Sequence, residues 1–200
     1  MLIDARNSTL LIVDVQGKLV PAISGWQPLL DHVIWLIRVA RKLDVPVLAC
    51  EQYPQGLGPT HPLVAAELPD GCVASKLHFS AVAGACHGLD QAGGSAQYVV
   101  CGMETHVCVL QTGMELLATG KQVFVVAEAV GSRRDTDKAL ALTRMGNAGA
   151  SIVSREMVAF EWLRRADAPL FREISKAFLR GDARDTFRGS LPRIGRRINL

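Results

Sequence analysis

The sequence predicts an α/β protein with three layers, α/β/α, built around a six-stranded, mostly parallel and Rossmann-like sheet. Short apolar runs rich in β-branched residues alternate with helical patterns along the chain. No internal repeat, low-complexity segment or linker interrupts this alternation. Strands that alternate with helices favour right-handed β–α–β crossovers, which produce a parallel sheet covered by helices on both faces.

Six runs are predicted as strands. Three are apolar along most of their length, as in strands buried on both faces: residues 9–15 (TLLIVDV), 97–101 (QYVVC) and 122–127 (QVFVVA). Three weaker candidates are residues 45–50 (VPVLAC), 72–77 (CVASKL) and 150–154 (ASIVS).

Five segments are predicted as helices: residues 29–43, 107–119, 135–148, 157–165 and 169–179. Gly120 is a plausible C-cap residue of the second helix, and Asp135 suits the N-cap or first turn of the third. The connection 52–71 is rich in Gly and Pro, and a loop of that length in a compact domain is usually functional. In an open parallel sheet, the site is expected beyond the carboxyl ends of the strands.

The chain is predicted to form one domain, residues 1–180, followed by a basic C-terminal extension, residues 181–200. From Arg180 onward there are six Arg against two Asp, a balance of +4 that exceeds the +3 of the whole chain, so residues 1–179 sum to −1. A nucleic-acid partner would require a basic face on the domain itself, and none is expected. The extension is interpreted as solvated or docked on a partner.

Neither membrane insertion nor secretion is expected. No apolar run approaches the ~18 residues that span a bilayer. The first residues, MLIDARNSTLL, lack a basic stretch followed by an apolar segment, so we expect a cytoplasmic protein. The five cysteines form no CxxC pair, which indicates free thiols rather than a zinc site or a disulfide framework.

Three polar residues stand at or beside the ends of predicted strands: Asp14 in LLIVDVQ, Lys76 in CVASKL, and Cys108 in VVCGMETHVCVLQT. Each has a structural alternative. Asp14 could simply end its strand and cap the next loop, Lys76 could be a surface lysine on an edge strand, and Cys108 could be a small buried apolar residue.

Cys108 is predicted to lie in the first turn of a helix that follows a strand. The free N–H groups and the helix dipole there would stabilise a thiolate and lower the thiol pKa. This position favours a nucleophile at Cys108. The other four cysteines are interpreted as buried apolar residues: Cys50, Cys72, Cys86 and Cys101.

Together the three residues suggest one reactive site. A nucleophilic thiol needs a base, which Asp14 could supply, and a cation such as Lys76 would hold both groups ionised. Because all three follow different strands at the same sheet edge, the topology predicts that they converge. The chain has no G-x-G-x-x-G and no G-x-x-x-x-G-K-[ST], which removes the usual nucleotide-binding interpretations.

The segments LLIVDVQ, ASKLHFS and VVCGMETHVCVLQT, in that order, resemble the three signature segments of isochorismatase-like hydrolases. That superfamily includes nicotinamidases and N-carbamoylsarcosine amidohydrolases. The segment EQYPQGLGPT further resembles the subgroup called isochorismatase domain-containing proteins. The similarity covers about residues 10–179.

The resemblance implies a catalytic triad, with Asp14 as general base and acid, Lys76 as support for nucleophile and transition state, and Cys108 as nucleophile. It also implies a cis peptide bond between Met103 and Glu104. The backbone N–H groups of Glu104 and Cys108 would then form the oxyanion hole.

The resemblance also implies that the chain needs no metal or other cofactor. Nicotinamidases bind their metal through an Asp-x-His motif, whereas this chain has Glu51, Gln52 and Tyr53 there, with only His61 nearby. Isochorismatases that cleave a vinyl ether generally lack the cysteine. A small amide-like C–N bond is therefore the expected target.

Four residues are expected to face the small-molecule substrate: Gln16, Tyr53, Phe79 and His106. Each has an alternative role in packing or in turn hydrogen bonds. Two competing functions remain open at this stage. One is a non-catalytic or partner-binding protein that keeps the site, and the other is a thiol redox sensor, which would require an exposed resolving cysteine near Cys108.

A homo-oligomer is expected, with the last two predicted helices supplying part of the contact. Their large apolar residues exceed what two short helices need to cover a sheet, although some could pack on the domain's own core. These residues are Trp162, Leu163, Leu170, Phe171, Ile174 and Phe178.

Overall fold

The computed structural model describes residues 1–87, 89 and 95–179. The predicted extension 181–200 lies outside these residues. Six strands form one sheet in the order β3-β2-β1-β4-β5-β6, and every neighbouring pair is parallel. The strands are β1 (Ser8–Val13), β2 (Val47–Gln52), β3 (Val73–Lys76), β4 (Gln97–Met103), β5 (Gln122–Gly131) and β6 (Ser151–Val153).

A helix follows every strand except β3, after which the described residues contain none before β4. The α-helices are α1 (Trp26–Lys42), α2 (Pro54–Leu57), α3 (Pro62–Ala65), α4 (Leu110–Ala118), α5 (Asp135–Asn147), α6 (Arg155–Leu163) and α7 (Phe171–Ile174). Short 3-10 turns occur at Ala5–Asn7 and Val20–Ala22, and π-helical turns at Thr105–Val109 and Ser175–Leu179. The predicted fold class is confirmed, with all strand pairs parallel rather than most of them.

Alternate residues of β1 enter two separate cores. Leu10 and Ile12 pack with α1 and α6 on one face of the sheet, whereas Leu11 and Val13 pack with α4 and α5 on the other. Successive side chains of a strand point to opposite faces, so a strand that is apolar throughout supplies both cores at once. All six residues of β1 are buried.

Several boundaries differ from those predicted, and two of the differences lie beside the candidate site. β1 ends at Val13 rather than at residue 15, because Asp14 has a φ of 52°, outside the β region. The segment predicted as one helix from residue 107 is a π-helical turn followed by α4. α1 begins at Trp26 because Pro28 is tolerated in the first turn, where its missing N–H has no partner.

The late helices contribute less exposed apolar surface than the sequence suggested. Trp162, Leu163 and Ile174 are 4%, 6% and 0% exposed, so the domain's own core covers them. The side chain of Phe178 lies outside the described part of the chain. Met157 and Phe160, at 47% and 48% exposed, are the large apolar residues that α6 presents at its surface.

None of the described helices is long and apolar enough to cross a membrane.

Gly102 lets β1 and β4 approach each other beneath the candidate site. It has a φ of +118° and pairs with Val13, whose carbonyl oxygen would lie 2.0 Å from a Cβ added at Gly102. Gly102→Ala is therefore expected to lower the free energy of unfolding by about 3 kcal/mol or more, measured by urea denaturation.

Gly146→Ala in α5 is the matched control, because a Cβ there meets only Ile152 Cγ1, at 3.7 Å. That change is expected to be neutral or stabilising by up to about 1 kcal/mol. Equal destabilisation by the two substitutions would contradict the close contact at Gly102.

Candidate active site

Asp14, Lys76 and Cys108 meet at the carboxyl edge of the sheet. Asp14 directly follows β1, Lys76 is the last residue of β3, and Cys108 lies in the π-helical turn after β4. β2 runs between β3 and β1 and ends at Gln52, which pairs with Lys76. The sheet order therefore brings the ends of four neighbouring strands to one place, as the sequence predicted for the three polar residues.

The Lys76 ammonium group is completely enclosed and fully hydrogen-bonded. Its Nζ donates to Asp14 Oδ2 at 2.7 Å, to Gln52 Oε1 at 2.8 Å and to the Phe79 carbonyl oxygen at 3.0 Å. Both side chains of the Lys76–Asp14 ion pair are 0% exposed. An ammonium has three protons, so each proton of Lys76 has an acceptor. The alternative of a surface lysine is excluded.

Asp14 receives a second hydrogen bond from a residue that the sequence did not single out. Cys50 Sγ donates to Asp14 Oδ1 at 3.2 Å. Burial raises the pKa of Asp14 above its ordinary value, although the Lys76 charge and the hydrogen bonds of Lys76, Cys108 and Cys50 oppose this. For Lys76, burial alone would lower the pKa, but the charge of Asp14 and the other neighbours raise it. Lys76 is thus held as a cation, and Asp14 is a stronger base than an exposed aspartate.

The Cys108 thiol is not the low-pKa group that the sequence predicted. Cys108 is 6% exposed, and burial, together with the negative charge of Asp14, raises its pKa to about 12 despite the nearby Lys76. The helix-terminus effect falls off quickly and is outweighed by the loss of water around the sulfur. The resting group is therefore a thiol that interacts with both the Asp14 carboxylate and the Lys76 ammonium.

The turn that carries Cys108 is held by Glu104. The peptide bond between Met103 and Glu104 is cis, as the resemblance implied. The carbonyl oxygen of Glu104 accepts from the N–H groups of Val107 and Val109 at 3.1 and 3.2 Å. Its carboxylate accepts from the N–H and Nε of Arg133 at 3.0 and 3.1 Å. The loop after β5 therefore anchors the segment between β4 and Cys108.

The Gln16 side chain is buried and hydrogen-bonded to the backbone rather than open to a ligand. It is 0% exposed, and its Nε2 donates to the carbonyl oxygens of Gln52 and Gly58 at 3.0 and 2.6 Å. Its Oε1 accepts from the Gln52 N–H at 2.8 Å. The side chain ties the loop 53–58 to β1, so this placement favours the packing role over contact with a substrate.

The other three residues predicted to face a substrate are more accessible. Tyr53 and Phe79 are 51% and 52% exposed and flank the carboxyl ends of β2 and β3. His106, two residues before Cys108, is half-buried, with Nδ1 at 3.0 Å from Ser132 Oγ. Tyr53 and Phe79 thus lie beside the strand ends next to Asp14 and Lys76, whereas His106 lines a separate cavity of about 220 Å³ with Leu110 and residues of α5.

A cavity of about 400 Å³ opens beside β3. Lys76 is in its wall, but neither Asp14 nor Cys108 lines it, and exposed Ser75 of the edge strand and Leu77 just after that strand form part of it. The cavity therefore adjoins the reactive groups from the Lys76 side. Its lining is Pro54, Gln55, Ser75, Lys76, Leu77, His78, Ala83 and Gly84.

Glu51 near the end of β2 and His61 in the segment after it are engaged in structural contacts. Glu51 Oε1 accepts from the N–H and hydroxyl of Thr60, each at 2.7 Å, and His61 Nδ1 accepts from the Leu63 N–H at 3.4 Å. Within residues 1–87, 89 and 95–179, no cluster of three His, Cys, Asp or Glu residues is arranged to hold a metal ion. Metal independence itself stays a prediction.

Cys50 and Gln52 are the residues of the site that sequence reasoning missed. Both lie in the second half of β2, and Cys50 pairs with Val13, next to Asp14. The only sequence signal was their position near the end of a strand that neighbours the one preceding Asp14. Cys50 ended a predicted strand that was otherwise apolar, and Gln52 was assigned to the connection that begins at that residue.

The protein-family model described as the isochorismatase domain matches residues 8–157 of the chain. The chain is 38% identical over 173 residues to isochorismatase domain-containing protein 2A of Mus musculus, which covers 86% of this chain and 82% of that protein. This chain belongs to the isochorismatase family. The resemblance that the three signature segments carried is confirmed.

Several solved structures share the fold of this chain. A MAR1 ribonuclease from Caenorhabditis elegans has a TM-score of 0.85 and 33% identity, covering 97% of this chain and 100% of that one. The YcaC gene product of Escherichia coli, described as an octameric hydrolase of unknown specificity, has a TM-score of 0.75 and 25% identity. The match covers 83% of this chain and 84% of that one. YcaC from Pseudomonas aeruginosa, with hexane-2,5-diol and covalent acrylamide, has a TM-score of 0.78 and 25% identity. The match covers 89% of this chain and 92% of that one.

The buried ion pair makes a prediction that is independent of any substrate. Lys76→Met is expected to lower the free energy of unfolding by about 3–5 kcal/mol near neutral pH, because it leaves the Asp14 carboxylate buried without its cation. The deficit should shrink as the pH falls, because protonation of Asp14, whose pKa is already raised, removes the unpaired charge.

The control is the double variant Asp14→Asn/Lys76→Met, which removes both charges and should be less destabilised than Lys76→Met alone. Urea denaturation at several pH values measures both. If the single and double variants lose the same free energy of unfolding, the unpaired Asp14 charge is not the cause of the destabilisation.

Proposed function

We propose that this member of a hydrolase family is a metal-independent cysteine hydrolase that cleaves a small amide-like C–N bond through an acyl intermediate on Cys108. The observation that carries the proposal is the enclosed contact of the Cys108 thiol with a carboxylate of raised pKa and a fully hydrogen-bonded ammonium. A protonated thiol beside a base is suited to general-base activation at the moment of attack.

In the first half of the reaction, Asp14 takes the Cys108 proton as the sulfur attacks the substrate carbonyl carbon. The C=O π pair moves to oxygen, where the N–H groups of Glu104 and Cys108 stabilise the oxyanion. Protonated Asp14 then gives its proton to the leaving nitrogen, the C–N bond breaks, and a thioester on Cys108 and a free amine remain. Lys76 offsets the negative charge on the sulfur and on Asp14 throughout.

In the second half, Asp14 takes a proton from water as the water oxygen attacks the thioester carbonyl. The C–S bond breaks, the acid product leaves, and the sulfur recovers its proton from Asp14. The raised pKa of Asp14 makes it a stronger acceptor of the thiol and water protons than an ordinary aspartate. Hydrolytic activity is accordingly expected to fall as the pH drops through the raised pKa of Asp14.

Two properties of relatives bear on the substrate. YcaC from Pseudomonas aeruginosa holds covalent acrylamide, a small neutral molecule that carries an amide group, and small amides and ureas are the first compounds to test. The ribonuclease name of the Caenorhabditis elegans relative makes RNA the competing substrate. RNA binding depends on cations that contact phosphates, and all three protons of Lys76 are already donated within the protein.

Loss of the nucleophile should abolish turnover without loss of the fold. In a screen of small amides, ureas and an RNA oligonucleotide, Cys108→Ala and Asp14→Asn are each expected to lower hydrolysis about a thousandfold or more, and the double variant should be no worse than either. Intact mass should reveal an acyl adduct on the wild-type chain and none on Cys108→Ala.

Cys72→Ala serves as the control, because Cys72 is a buried thiol in the other core. Substantial amide turnover by purified Cys108→Ala would remove the covalent mechanism. Cleavage of RNA alone would replace the proposed substrate class, and no turnover with an inert Cys108 would favour the non-catalytic alternative.

Metal independence is tested in the same assay. Hydrolysis is expected to persist after incubation with EDTA, because Glu51 and His61 are engaged with Thr60 and Leu63. Abolition by the chelator and recovery with zinc or iron would overturn this expectation.

We also infer that the chain forms a homo-oligomer. The octameric relative from Escherichia coli supports this, and Met157 and Phe160 on α6 supply exposed apolar surface. Light scattering at micromolar concentration should give a multiple of the 21.6 kDa chain mass. A mass of one chain would refute the inference.

A further inference from the structure

Cys50 is a second thiol in contact with the Asp14 carboxylate, and the proposed reaction assigns it no role. It lies on β2, between the strands that end near Asp14 and Lys76, and is 1% exposed. Its sulfur donates to Asp14 Oδ1 at 3.2 Å, whereas Lys76 donates to Oδ2 at 2.7 Å. The two oxygens of the carboxylate are therefore held by different side chains from different strands.

The Cys50 thiol is itself held by Cys86. The two cysteine side chains are hydrogen-bonded to each other, and Cys86 is 4% exposed in the segment after β3. A thiol has one proton to donate. Cys50 gives that proton to Asp14, so Cys50 stands between Cys86 and the carboxylate.

We propose that Cys50 is a positioning residue that keeps the Asp14 carboxylate in the orientation in which it accepts the proton of Cys108. The proposal rests on the proposed function, because it concerns the same base. Each carboxylate oxygen accepts about two hydrogen bonds. With Cys50 on Oδ1 and Lys76 on Oδ2, the carboxylate cannot rotate without breaking a buried contact, and it keeps acceptor capacity for the Cys108 thiol.

Cys50 also favours the ionised form of the base. The ionisable groups that face Asp14 are Lys76 from β3, Cys50 from β2 and Cys108 from the π-helical turn. Both Lys76 and Cys50 donate to the carboxylate, and hydrogen bonds to a charged form stabilise that form. Burial already works against ionisation of Asp14, so removal of the Cys50 donor moves the balance further toward the protonated acid, which cannot act as a base.

The measurable consequence is a shift in pH dependence. A hydrogen bond from a neutral donor has a net strength of about 1 kcal/mol, which corresponds to roughly 0.7 pH unit. The alkylation rate of Cys108 should fall as the pH drops and Asp14 becomes protonated, and this part of the rate–pH profile is its acid limb. Cys50→Ala is therefore expected to move the acid limb to higher pH, by about half to one pH unit. Cys50→Ser retains a donor at this position and should move the limb less than Cys50→Ala.

The experiment measures the rate at which iodoacetamide alkylates Cys108 in the full chain as a function of pH, with the modified residue identified by peptide mass. This readout needs no knowledge of the substrate. The variants are Cys50→Ala, Cys50→Ser and Asp14→Asn. Cys101→Ala is the matched control, because Cys101 is a fully buried strand cysteine in the core on the opposite face of the sheet.

The outcomes separate the two proposals. An upward shift in Cys50→Ala, a smaller shift in Cys50→Ser and an unchanged Cys101→Ala support the positioning role. If Asp14→Asn removes the acid limb but Cys50→Ala leaves it in place, Cys50 has no positioning role and the base assignment stands. If Asp14→Asn leaves the limb unchanged, the base assignment of the proposed function fails, and the positioning role fails with it.

Discussion

The buried ion pair between Lys76 and Asp14 constrains the rest of the site. Two opposite charges removed from water lose their hydration, and their mutual attraction compensates only when every remaining donor and acceptor is hydrogen-bonded. Lys76 meets this condition through Asp14, Gln52 and the Phe79 carbonyl oxygen. The chain must therefore bring the end of β2, the end of β3 and the segment after it to fixed positions around one nitrogen atom.

The segment after β3 is attached to the helix that follows the cysteine turn. Ser80 Oγ and the Ala83 N–H donate to Glu115 Oε2 at 2.6 and 3.1 Å, and the Ala81 N–H donates to Thr112 Oγ1 at 3.0 Å. Both acceptors lie on α4. Because the Phe79 carbonyl oxygen accepts from Lys76, these contacts link the position of the ammonium to that of Cys108, so Asp14, Lys76 and Cys108 are supported as one unit.

Burial and the charge of Asp14 keep Cys108 as a thiol rather than as a thiolate. A standing thiolate is the form that oxidants and alkylating agents attack, whereas a buried thiol of pKa about 12 reacts only when a base removes its proton. This arrangement argues against the redox-sensor interpretation, which requires a readily ionised and accessible thiol. All five cysteines are buried, so the described residues contain no exposed cysteine that could act as a resolving partner for Cys108.

The sequence by itself determined the parallel sheet, the two-faced burial of β1 and the placement of Asp14, Lys76 and Cys108 at one sheet edge. These features follow from local patterns, because β-branched apolar runs and helical periodicity specify the elements, and parallel topology brings strand ends together. Only the tertiary structure decided the direction of the Cys108 pKa, the roles of Gln16, Gln52 and Cys50, and the burial of Trp162. Each depends on how much water is excluded and on which side chains from distant strands become neighbours, and neither quantity is encoded in the residues adjacent along the chain.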